Sequence, residues 1–110
     1  MNEFEKIINE CLVNVNDLIN LFVRCRVQYW DEKYVKIADA LNDLDSDLAI
    51  KLEMEIPKTG MGGLYDLYIS AENENKSDNF KEDNASLDSI ILNISKSFKR
   101  LKAYTNFIEN

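Results

Sequence analysis

The chain has 110 residues, 45% of them apolar, which is one domain's length with enough apolar content for a single core. Thirteen bases against twenty acids give a net charge of -7, so the chain as a whole repels nucleic acid. There is no histidine, which excludes Ser-His and Cys-His nucleophile pairs and the common zinc sets.

Glu3 and Glu5 precede the first apolar run, unlike the basic start of a secretory signal. Apolar runs are broken every few positions by Asn, Asp, Lys or Arg, far short of the ~18 residues a membrane span needs. The expectation is a cytoplasmic protein without membrane association. Cys11 and Cys25 lie fourteen positions apart in one helical pattern, about 21 Å along a helix, so they are expected as reduced core thiols.

From Glu3 to Trp30, apolar residues recur at three- and four-residue steps, including Phe4, Ile7, Ile8, Cys11, Val15, Leu18 and Phe22. The spacing predicts a long amphipathic helix with a broad buried face. A second helix opens after Trp30 with the acids Asp31 and Glu32 and uses Tyr34, Ile37, Ala38, Leu41 and Leu44. The short turn between the two leaves a single bent helix open. A third, from about Asp45 to Ile56, is capped by Asp45 or Ser46 and stopped by Pro57. The last begins at Ser86 as N-cap and runs through Leu87, Ile90, Ile94, Phe98, Leu101 and Tyr104 to Ile108, closing the core against the first. Residues 70–85 are almost wholly polar and read as a mobile loop. The fold class is therefore all-α: one small bundle of about four helices over residues 1–110, with a glycine-rich loop and a mobile polar loop.

Charge is unevenly spread. Residues 1–38 carry six acids and five bases, residues 39–88 thirteen acids and four bases, and residues 89–110 one acid and four bases. Asp39, Asp43, Asp45, Asp47, Glu53 and Glu55 thus form a strongly negative region suited to a basic protein partner. Lys96, Lys99, Arg100 and Lys102 fall near the expected end of the last helix, where the dipole favours cations. The acids have no metal-binding frame: Leu48 stands where a calcium loop starting at Asp43 needs glycine, and no Glu-x-x-His pair exists. Neither catalysis nor a cofactor is expected.

All three glycines fall within four positions, in Gly60-Met61-Gly62-Gly63-Leu64-Tyr65-Asp66-Leu67. Such concentration indicates positive φ or a close approach of two chain segments. No strand precedes them and no Gly-Lys-Ser/Thr follows, so a phosphate loop is excluded. Residues 64–69 fit a short helix or a strand. Trp30 followed by this segment resembles an uncharacterised family of small bacterial helical proteins with an early Trp and a Gly-Gly-Met-Gly-Ser-Phe-Asn-Asp-Leu-like signature. Gly60, Met61, Gly62, Asp66 and Leu67 fit that signature, while Thr59, Gly63, Leu64 and Tyr65 depart from it. The resemblance implies the type of protein found beside bacterial toxins as their immunity proteins. General loop chemistry makes the segment a tight interhelix turn capped by Asp66. With the small size and the acidic region, the expected function is binding and neutralising a basic toxin domain, as in contact-dependent growth inhibition. A helical adaptor without a toxin link is the alternative. Trp30, Tyr65 and Tyr68 are the candidate aromatic anchors beside the acids.

Overall fold

A computed structural model describes residues 2–59, 63–69 and 78–109. Among these residues the chain forms four α-helices and no strand: α1 (Glu3–Arg24), α2 (Trp30–Asn42), α3 (Ser46–Met54) and α4 (Phe80–Glu109), with one 3-10 turn over Leu64–Asp66. The expected helical bundle is the architecture found.

Helix α1 starts where Asn2 accepts a hydrogen bond from the Glu5 amide (2.8 Å), with Glu3 and Glu5 in the first turn. Its apolar stripe, Ile7, Ile8, Cys11, Val15, Leu18, Leu21 and Phe22, is buried. It ends six residues before the expected Trp30, in a cap of defined geometry. Val27 N–H donates to Phe22 O (2.8 Å) and Arg26 N–H to Val23 O (3.3 Å), with Arg26 at φ 59°. These are the paired bonds of a Schellman motif, normally closed by glycine. Tyr29 then takes φ 79°, ψ -55°, a sparsely populated conformation, and α2 begins at Trp30. The two helices are therefore separate, and no glycine signals the break.

The same motif ends α2: Asp45 N–H donates to Ala40 O (2.9 Å) and Leu44 N–H to Leu41 O (3.0 Å), with Leu44 at φ 59°. Asp45 simultaneously caps α3, its carboxylate accepting from Leu48 N–H at 3.1 Å. Pro57 follows α3 as expected.

Helix α4 begins at Phe80, not after Ser86, so residues 80–85 of the expected mobile loop are helical; residues 70–77 of that loop lie outside the described residues. Long-range polar contacts explain the difference. Asp83, only 4% exposed, pairs with Arg24 (2.9 Å) and accepts from the Cys25 thiol (3.4 Å), both at the end of α1. Asn84 accepts from Ile69 N–H (2.9 Å) and donates to Ile69 O (2.7 Å) and Phe80 O (2.8 Å). Further on, Asn14 donates to Ser97 Oγ (3.2 Å) and Asn93 O (3.3 Å), Glu10 pairs with Arg100, and Phe4 meets Tyr104. Positions rising along α1 thus meet positions falling along α4, and the helices pack antiparallel. Because α4 extends to Glu109, Lys96, Lys99, Arg100 and Lys102 lie away from its last turn, which holds no base, and the dipole does not account for them.

Residues 63–69 form one 3-10 turn followed by extended chain, with Leu64 and Ile69 sealed in the core. Leu64 N–H donates to Pro57 O (2.8 Å) and Tyr65 N–H to Lys58 O (3.0 Å), folding the segment onto the chain after α3. Gly63 has φ -74°, so its role is close approach: a Cβ there would lie 2.9 Å from both Lys58 C and Thr59 O. Gly60, Met61 and Gly62 lie outside the described residues, as does the side chain of Asp66. Gly63→Ala should therefore lower the unfolding free energy by about 1–3 kcal/mol, read from the urea midpoint at unchanged slope.

Cys11 and Cys25 are free and buried. Burial pushes the Cys11 thiol up from 9.0 to about 11, against a lowering hydrogen bond with Ser97. Burial raises the Tyr34 hydroxyl as well, with Glu53 and Tyr65 adding to it. The fold holds both groups neutral, so their contribution is whole below pH 9.0 and the thiol's share is lost as pH climbs through about 11. The melting temperature should fall across that interval, and Cys11→Ala should flatten the slope whatever its effect on the melting temperature at neutral pH.

Candidate functional site

The acidic residues divide between two environments. Asp39 in the last turn of α2 and Asp43, its C-cap, stand one turn apart and are exposed, as are Asp45 and Asp47 at the start of α3. The turn joining these helices carries Leu44, 52% exposed, and Leu48 in the first turn of α3 is also exposed. The turn between α2 and α3, here called the tip, thus carries exposed Leu44 and Leu48 in the same short stretch of chain as Asp43, Asp45 and Asp47, with Asp39 one turn earlier. Part of this charge has a local task, since Asp45 caps α3 and Asp47 lies in its first turn, where anions are favoured.

Glu53 and Glu55 do not belong to the tip. Glu53 is 7% exposed, its carboxylate paired with Lys58 at 2.9 Å, while the same ammonium donates to Glu53 O at 3.0 Å. It belongs to the junction under Tyr34 and is withdrawn from any acidic surface. Glu55 follows α3, about 15 Å of helix beyond Asp45, and borders a small hollow with Lys33 and Lys36.

The aromatic candidates also separate. Trp30, 7% exposed, is a core residue that fixes the start of α2, its ring edge-on to Tyr29 at 5.1 Å. It is not available as a surface anchor. Tyr65 and Tyr68 are exposed, as expected. Tyr65 borders a cleft of about 240 Å³ between Leu64 and Leu67 on one side and Leu87, Asp88, Ile91, Leu92 and Ser95 of α4 on the other. Leu67 is half-buried against the core, and Gly63 holds the loop's approach, so this part of the glycine motif acts structurally.

The signal that sequence reading lacked at the tip is Leu44. Its periodicity assigned it to the buried stripe of α2, yet it lies outside the helix in a left-handed conformation with half its surface in water. Only backbone geometry reveals this, because the motif normally announces itself by glycine or asparagine.

Among the described residues, no group of three or more Cys, Asp or Glu side chains is placed to hold a metal ion, and no helix is long and apolar enough to cross a membrane. The arrangement offers surfaces of defined charge and shape: an acid-ringed apolar tip, an aromatic-edged cleft, and a basic groove between α1 and α4. No protein-family model, curated protein or solved structure matches this chain.

Proposed function

We propose that the protein is an immunity protein that binds and neutralises a basic bacterial toxin domain, of the contact-dependent growth inhibition type, with the α2–α3 tip as its contact surface. The observation that carries this reading is Leu44. A left-handed conformation costs a residue with a Cβ about 1 kcal/mol or more, and here the cost is incurred by an exposed leucine, which gains little burial in return. An exposed apolar residue in a strained conformation, surrounded by carboxylates, has the composition of an anchor with a charged rim. The carboxylates of Asp39, Asp43, Asp45 and Asp47 would steer a basic cleft toward it, and Leu44 and Leu48 would seal the contact against water. The resemblance of the Trp30 and glycine-motif sequence to immunity-type proteins agrees with this use.

Co-purification followed by mass spectrometry identifies the partner, and association kinetics with it test the surface. Replacing Asp39, Asp43, Asp45 and Asp47 by Asn should slow association and abolish its dependence on salt. Exposed charges contribute little to stability, often within ~0.5 kcal/mol each, and the Asn at position 45 retains a capping side chain. Leu44→Gly should raise stability by about 0.5–1 kcal/mol while speeding dissociation. A tip that only solvates the protein gives the stability gain with unchanged binding, and that result would remove the tip from the interface.

A further inference from the structure

Along the first half of α1, beside α4, lies an open groove of about 640 Å³. Lys6, Glu10 and Val13 line it from α1, and Asn93, Lys96 and Arg100 from α4. Its sign is opposite to that of the protein as a whole: three cations meet one carboxylate, in a chain of net charge -7. Glu10 is paired with Arg100, whereas Lys6 and Lys96 have no ion-pair partner among the described residues. The floor is fixed. Asn14 joins the Asn93 carbonyl to the hydroxyl of Ser97, which is fully buried, so the two walls are held together without a ligand. The basic residues have no dipole role here, because α4 continues well beyond them.

We propose that this groove is a second docking site, which takes a short acidic peptide segment of a partner protein in extended form. Its α1 wall, from Lys6 to Asn14, is about 12 Å long, matching three or four residues of extended chain at ~3.3 Å each. Lys6 and Lys96 offer two separate cations to carboxylates, and Val13, 59% exposed and adjacent to Asn14, offers an apolar contact. The Asn93 amide can both donate to and accept from a peptide backbone. A nucleic-acid strand suits the groove less well: Glu10 interrupts the run of cations, Val13 matches no phosphodiester, and the surrounding chain repels a polyanion. The site uses none of the tip residues, so it stands or falls separately from the function proposed above.

The test uses the full chain, isotopically labelled, titrated with a blocked hexaglutamate peptide at low ionic strength and followed by amide and side-chain NMR shifts. Shifts should concentrate at Lys6, Val13, Asn93 and Lys96. The double variant Lys6→Gln with Lys96→Gln should weaken binding by about tenfold, as loss of two favourable charge contacts implies. The pair Lys33→Gln with Lys36→Gln, an equal change in net charge elsewhere, should leave it unchanged. Equal weakening by both pairs, or shifts spread over Lys33, Lys36 and Lys51, would reduce the effect to diffuse attraction and overturn the proposal. Tighter occupation of the same residues by oligothymidylate would reassign the groove to nucleic acid. Association of the free chain that covers Val13 and Lys96 would reassign it to a second copy.

Discussion

Asp83 is the carboxylate on which the arrangement of the long helices depends. It lies in the first turn of α4, buried, and receives Arg24 and the Cys25 thiol from the end of α1. A charge removed from water is tolerated only with such partners, so the start of α4 has to lie against the close of α1. From that fixed point the antiparallel register runs through Asn14 and Ser97 to Glu10 and Arg100 and then to Phe4 and Tyr104. The register in turn sets Lys96, next to Ser97, level with Asn14 and leaves Lys6 about two turns away toward the start of α1, so the groove runs from one to the other. A shift of one helical turn would separate these groups and strand the buried carboxylate.

Much of the bundle was legible from apolar spacing, because a period near 3.6 with few interruptions has one economical solution. The three- and four-residue steps of α1 and the stripe from Leu87 to Tyr104 identified both long helices and their mutual packing. What failed was local. Phe80-Lys81-Glu82-Asp83-Asn84-Ala85 has the composition of a loop, and its helix is held by partners 15 to 59 positions away that no window can see. The breaks after α1 and α2 carry Arg26 and Leu44 where glycine is the usual signal. Trp30 and Glu53 were read by residue type as surface groups, although one packs beneath the α1–α2 turn and the other is neutralised by Lys58 five positions on.

The acidic region of the sequence becomes, in three dimensions, a tip with a capped helix at its base and strained leucine at its crest. Lys96 and Arg100 of α4 instead line the groove beside α1. The exposed acids of the tip and the three cations of the groove therefore lie on different pairs of helices. At Asp45 a single carboxylate both holds the Leu48 amide and adds to the negative charge of the tip.

Asn84 deals with the backbone of Ile69 much as a neighbouring strand would, accepting from its N–H and donating to its C=O. A side chain on a helix has become the pairing edge for one extended residue. The segment 63–69 consequently has no independent order at its far end: if the first turn of α4 unwinds, Ile69 loses both bonds and its burial is no longer supported. Loop and helix start thus form a single unit of local opening, separable in principle from the body of the bundle.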